Sequence, residues 1–98
     1  MDKHDQETLA LVYESISTVW KEVNKEPWIG FFKKLDKEDQ DFIKNCNYQA
    51  DLINQKAIND LEDLKKLYLI RHQLREHLKN MKSDILLKDY LDHILNIW

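Results

Sequence analysis

The chain has 98 residues, enough for one domain with one core but too few to enclose a cavity of enzyme size. Hydrophobic residues make up 43% and charged residues 34%, a balance typical of a folded helical protein rather than a disordered one. One glycine and one proline are too few for the tight turns of an antiparallel β fold. We therefore expect a single all-α domain over 1–98, a small bundle of three to five helices.

The first predicted helix runs from about Gln6 to Asn24, with Asp5 as its N-cap. Its apolar residues recur with the period of an α-helix and form one stripe. They are Leu9, Val12, Tyr13, Ile16, Val19, Trp20 and Val23. Such a stripe predicts one buried face.

Residues 25–30 hold both helix breakers, Pro27 and Gly30. Pro27 is suited to the first position of a short helix, because its missing N–H would have no partner there in any case. That helix would carry an aromatic cluster with Trp28, Phe31, Phe32 and Leu35. The cluster has two interpretations, a hydrophobic plug that closes one end of the bundle or a peptide-binding groove.

Residues 36–82 follow a heptad pattern that begins at Asp36, a suitable N-cap. The a positions are Ile43, Ala50, Ala57, Leu64, Arg71, Leu78 and Ile85, and the d positions are Cys46, Ile53, Asp60, Leu67, Leu74 and Met81. Only Arg71 and Asp60 interrupt the apolar seam. The pattern predicts one long helix over about 36–82, or the same segment broken or bent. The poor helix formers near 54–60 favour the break.

The last predicted helix begins near Ser83, a good N-cap. Its wide apolar stripe consists of Leu87, Tyr90, Leu91, Ile94, Leu95 and Trp98. A large aromatic at position 98 indicates a docked end, received by the core or by a second subunit.

Charge is distributed unevenly around the predicted break. Residues 36–63 carry a net charge of −5 and residues 64–82 carry +5, although the whole chain carries −3. Folding one segment back along the other, or pairing two copies antiparallel, would place opposite charges side by side. Arg71 and Asp60 are then the best candidates for a polar contact that sets the register.

No constellation indicates catalysis. The pairs Asp89–His93 and Asp60–Asp63 have helical spacing but lack the second half of a metal site. Cys46 lies in the heptad seam, where a thiol packs rather than reacts. We therefore expect no enzyme, no catalytic residue, no metal and no cofactor.

The leading functional hypothesis is a small non-enzymatic regulatory or adaptor protein that binds a protein partner through helix faces and forms a homodimer. Its predicted interaction residues are Ile53, Leu64, Leu67, Leu74, Leu78, Met81, Tyr90, Ile94 and Trp98. For each of them the apolar pattern leaves two roles open, intramolecular core or dimer interface.

The second hypothesis is a nucleic-acid-binding regulator. Basic residues recur on one face of the segment 65–82, where they could follow a phosphate backbone. The candidate contacts are Lys65, Arg75, Lys79 and Lys82, with His72 between them. The negative charge of the whole chain argues against this hypothesis.

The third hypothesis is a bacterial or phage accessory protein. Bacteriocin immunity proteins are similar to this chain in size and helical content, which implies an immunity or inhibitor role by analogy of class. The apolar runs are too short for a membrane span, and residues 1–7 do not resemble a signal peptide. The single cysteine suits a reducing compartment, so we expect a cytoplasmic location.

Overall fold

The computed structural model describes residues 1–96, which form five helices in one body. They are α1 (Lys3–Val23), α2 (Trp28–Lys33), α3 (Lys37–Asn54), α4 (Leu61–Asn80) and α5 (Ile85–Leu95). No strand occurs within 1–96, so the all-α bundle predicted from the sequence is confirmed. The expectation for Trp98 lies outside the described residues.

The first helix begins earlier than predicted because Asp2, rather than Asp5, is its N-cap. The Asp2 carboxylate accepts a hydrogen bond of 2.8 Å from the backbone N–H of Asp5, which would otherwise have no partner in the first turn. The helix ends at Val23, close to the predicted Asn24.

Helices α1 and α4 form the centre of the bundle, flanked by α3 on one side and α5 on the other. The Tyr13 hydroxyl donates a 2.6 Å hydrogen bond to Asp51, which joins α1 to α3. His77 near the end of α4 lies 2.8 Å from Asp39 near the start of α3, and a short turn joins the two helices, so α3 and α4 are antiparallel. The apolar stripes of α1, α3, α4 and α5 meet in one core.

The segment with the heptad pattern is broken, as the poor helix formers near 54–60 predicted. Residues 55–60 form a turn between α3 and α4, so the alternative of one continuous helix is wrong. The seam therefore folds back on itself. Its buried members are Ile43, Cys46, Ala50, Leu64, Leu67, Leu74, Leu78 and Met81. Ile53 and Arg71 are half-buried, while Ala57, Asp60 and Ile85 are exposed because the turn and the start of α5 lie outside the core.

The aromatic cluster closes one end of the bundle. Trp28 stacks on Tyr90 of α5 with ring centroids 4.5 Å apart, and Phe32 meets Trp20 of α1 edge to face at 5.9 Å. Of the two interpretations of the cluster, this arrangement agrees with the hydrophobic plug. Pro27 precedes the short helix instead of occupying its first position.

A buried carboxylate organises the turn between α3 and α4. Asp63 is 2% exposed and accepts hydrogen bonds from the Lys56 ammonium at 2.8 and 3.0 Å. The Asn59 amide donates to it at 3.3 Å and the backbone N–H of Asp60 at 3.1 Å. Asp60 in turn accepts from the Asp63 N–H at 3.0 Å, which completes a capping box at the start of α4. The hydrogen bonds from Lys56 and from the Asp60 backbone lower the pKa of Asp63 to about 2.

Replacing this carboxylate should destabilise the fold. We expect Asp63→Ala to lower the free energy of unfolding by about 2 kcal/mol, because it removes one half of the capping box and leaves the Asn59 amide and the Asp60 N–H without this acceptor. Urea unfolding followed by circular dichroism measures the change. The matched control is Glu62→Ala, one residue away and exposed, for which we expect a change within about 0.5 kcal/mol. Equal losses in the two variants would contradict the assignment.

The Asp63 carboxylate also makes the stability of the fold depend on pH in a defined direction. Its pKa is 3.8 in the unfolded chain and about 2 in the folded one, so its stabilising effect is complete above the first value. As the pH falls from 3.8 toward 2, protonation favours the unfolded chain and the contribution disappears. The wild-type protein should therefore lose more stability over this interval than Asp63→Ala does. Parallel losses in both proteins would count against the assignment.

Candidate functional site on the outer face of α4

Helix α4 has apolar residues on two faces. Its inner face supplies the core with Leu64, Leu67, Ile70, Leu74 and Leu78. Its outer face carries three further large apolar residues, with exposed fractions of 52% for Leu61, 40% for Tyr68 and 55% for Leu69. A fourth, Ile58, is 84% exposed in the turn that leads into α4. We call these four residues, Ile58, Leu61, Tyr68 and Leu69, the outer apolar stripe.

The outer apolar stripe is concentrated. Four of the nine exposed large hydrophobic residues within 1–96 lie in the twelve-residue span 58–69. The eight-residue step from Leu61 to Leu69 covers about 12 Å along the helix, with both side chains on the solvent side. The remaining exposed apolar residues lie singly or in pairs on other helices, such as Tyr48 and Leu52 on α3. Lys65 lies between Leu61 and Leu69 on this face, four residues from each. A concentration of exposed apolar residues among polar groups is typical of an interaction site.

Tyr68 is held in place by its own helix. The guanidinium carbon of Arg71 lies 5.4 Å from the centroid of the Tyr68 ring, a cation–π contact. Burial lowers the pKa of the Arg71 guanidinium from its ordinary value. A local contact is seen for each of the two residues predicted to set a register. Arg71 meets a ring of its own helix, and Asp60 caps α4.

The basic residues predicted to contact nucleic acid lie beside and beyond the outer apolar stripe. Lys65, Lys79 and Lys82 are exposed, as is His72, whereas Arg75 is half-buried. The structure therefore brings this basic ridge to the surface.

Two glutamates interrupt the ridge. The Lys65 ammonium lies 3.2 Å from Glu62, and the Lys79 ammonium lies 3.5 Å from Glu76. Both pairs join residues three apart on α4 and are solvent-exposed, so each contributes a few tenths of a kcal/mol at most. The ridge is therefore basic on balance, but its charge is partly compensated.

Most of the predicted interaction residues belong to the core of the single chain. Leu64, Leu67, Leu74, Leu78, Met81 and Ile94 are buried, while Ile53 and Tyr90 are half-buried and pack against the core. These side chains therefore pack within one chain, and their role in a dimer interface stays a prediction. The outer apolar stripe was missed by the heptad analysis. The sequence signal that could have found it is a second set of apolar residues, at 61, 68 and 69, which lie outside the a and d positions of the heptad pattern.

The side chains that could act in catalysis or bind a metal are either buried or dispersed. Burial raises the pKa of the Cys46 thiol to about 11, because the core disfavours the thiolate. Within 1–96, no three His, Cys, Asp or Glu side chains converge in a way that could hold a metal ion. In the same range, none of the helices combines the length and the apolar character needed to cross a bilayer.

Comparisons with protein-family profiles, with curated proteins and with solved structures give no match to this chain. The function is therefore inferred from the exposed side chains of α4.

The outer apolar stripe should be dispensable for folding. We expect Leu69→Asp to lower the free energy of unfolding by only about 1 kcal/mol, because the side chain is already half in water and Asp is a slightly poorer helix former than Leu. The comparison is Leu67→Ala, two residues away and fully buried, which should cost about 3 kcal/mol. Urea unfolding measures both. A loss in Leu69→Asp as large as that in Leu67→Ala would place Leu69 in the core instead.

Proposed function

We propose that this chain is a small non-enzymatic regulatory or adaptor protein that binds another protein through the outer face of α4. The observation that supports the proposal is the outer apolar stripe, which stays exposed although the core contains a complete set of buried residues from all five helices. A free chain gains nothing in water from a row of exposed Leu, Ile and Tyr side chains. A partner that covers the row would remove that apolar surface from water.

The free energy gained by covering the outer apolar stripe indicates whether the complex needs further contacts. Leu61, Tyr68 and Leu69 are about half exposed and Ile58 is 84% exposed, so covering all four side chains contributes roughly 4 to 5 kcal/mol. Taken alone, such a gain corresponds to a millimolar dissociation constant. A specific complex therefore requires polar contacts as well, and the basic ridge beyond the stripe supplies suitable donors.

Self-association through the same face is the first alternative. The predicted seam residues pack in the core of one chain, so a homodimer would use exposed apolar residues such as those on the outer face of α4. A parallel pairing would place two net-positive ridges next to each other, which disfavours it, whereas an antiparallel pairing would keep the ridges apart. Light scattering during gel filtration at micromolar concentration distinguishes a dimer from a monomer.

Nucleic-acid binding by the basic ridge is the second alternative. Its support is the exposure of Lys65 and Lys79 on α4 and of Lys82 shortly after its end. Against it, Glu62 and Glu76 present carboxylates on the same surface. The aliphatic residues of the stripe also have no counterpart on a phosphate backbone.

The proposal is tested by capture from a lysate of the cells that express the chain. We expect wild-type protein to retain a set of proteins that the double variant Leu61→Asp/Leu69→Asp does not retain, because two charges replace the centre of the apolar patch. Quantitative mass spectrometry compares the two retained sets.

Leu52→Asp is the matched control, since Leu52 is 48% exposed but lies on α3. It should retain the same proteins as wild type. If all three chains retain the same set, or if Leu52→Asp loses as much as the double variant, the outer face of α4 is not the binding surface.

A further inference from the structure

A groove opens beside the aromatic plug, where three helices meet. It has a volume of about 260 Å³. The described residues that line it come from the end of α1, from α2 and from the start of α3. The groove is therefore separate from the outer face of α4, and an inference about it does not depend on the function proposed for that face.

The floor and the walls of the groove are apolar. Val23 and Phe32 are buried and form the floor, while Trp20 and Ile29 are half-buried and form the walls. The rings of Trp20 and Phe32 meet edge to face with centroids 5.9 Å apart, which fixes the orientation of the indole. A ligand with an aromatic body would remove the half-exposed surfaces of Trp20 and Ile29 from water.

The rim of the groove is polar and carries a positive charge. Lys33 and Lys44 are exposed, and neither takes part in an ion pair within the described part of the chain. Asp41 supplies the carboxylate of the rim, so two ammonium groups stand against one carboxylate and the net charge is +1. The whole chain carries −3, so the rim is positive in an acidic protein. An anionic group at the rim would gain two favourable contacts.

The shape of the groove is fixed by hydrogen bonds. The Gln40 amide donates to the Leu35 carbonyl at 2.9 Å and to the Lys33 carbonyl at 3.4 Å, which joins the start of α3 to the end of α2. At the end of α1, the Asn24 amide donates to the Trp20 carbonyl at 2.7 Å. A ligand therefore meets a groove that is already formed, and it does not have to order these segments on binding.

We propose that this groove binds a small aromatic carboxylate. The ring of the ligand lies on the apolar floor against Trp20, and its carboxylate lies near the ammonium groups of Lys33 and Lys44. Pockets for drug-sized ligands have volumes of roughly 300–1,000 Å³, so this slightly smaller groove suits a ligand of about two fused rings with one acidic group. A neutral ring would leave the two lysines without an acceptor, and a bare anion would leave the walls in water.

The test is a titration of the intact, isotope-labelled protein followed by nitrogen–proton correlation NMR. The probes are naphthoate, its uncharged analogue naphthamide, and acetate. We expect naphthoate to shift the indole N–H signal of Trp20 in a saturable manner and to leave the indole signal of Trp28 unchanged, since Trp28 does not line the groove. Naphthamide should bind about fivefold more weakly, because it lacks the charge that the two lysines contact. Acetate by itself should not shift the Trp20 signal.

Two pairs of lysine variants assign the recognition of the carboxylate. Lys33→Gln/Lys44→Gln should bind naphthoate about fivefold more weakly than wild type and no better than it binds naphthamide. The matched control is Lys34→Gln/Lys37→Gln, which changes two exposed lysines next to the groove that do not line it. Its affinity for naphthoate should stay within about twofold of the wild-type value.

Several results would overturn the proposal. If the Trp20 signal does not shift up to the solubility limit of naphthoate, or shifts equally with acetate, the groove is not a site for an aromatic acid. If naphthoate and naphthamide bind equally, or if both lysine pairs weaken binding equally, the rim does not recognise the carboxylate. A further arm contains a short peptide that ends in tryptophan with a free carboxylate. If it binds more than about tenfold more tightly than naphthoate, the occupant is the C-terminus of a protein rather than a small acid.

Discussion

The buried carboxylate of Asp63 is the interaction on which the bundle depends. It fixes the turn at 55–60, and that turn reverses the chain so that α3 and α4 can share one core. Asn59 reinforces the reversal, because its amide donates both to Asp63 at 3.3 Å and to the Ile53 carbonyl at 2.9 Å. A buried charge is tolerated only when several donors surround it, and here a lysine, an amide and a backbone N–H do so. The start of α4 is thereby set relative to the end of α3.

The residue at which α4 begins also determines which side of the helix faces solvent. The capping box fixes where the helix begins, and the helical period then places Leu64 and Leu67 inside and Leu61 and Leu69 outside. A shift of one residue would rotate the helix by about 100° and exchange parts of the two faces. The exposed chemistry of α4 is thus linked to the geometry of the preceding turn, even though no residue of the outer apolar stripe contributes to the capping box.

The periodicity of the sequence predicted most of the fold but little of the candidate site. The heptad positions from Ile43 to Met81 predicted the buried seam, and the weak helix formers near 54–60 predicted the break, because both depend on local spacing and propensity. The stack of Trp28 on Tyr90 joins residues far apart in the chain, and no local pattern specifies it. Leu61 and Leu69 have the same side chain as the core residues around them. Only the tertiary arrangement shows that no other helix covers them.

The enclosed thiol of Cys46 has a practical consequence for spectroscopy. Maleimides and iodoacetamides react with thiolate, and a thiol with a pKa of about 11 that is 5% exposed provides almost none of it at neutral pH. A cysteine introduced at a surface position would therefore take up a fluorophore or spin label selectively. Reporter groups can be attached site by site while the native side chain at position 46 is left in place.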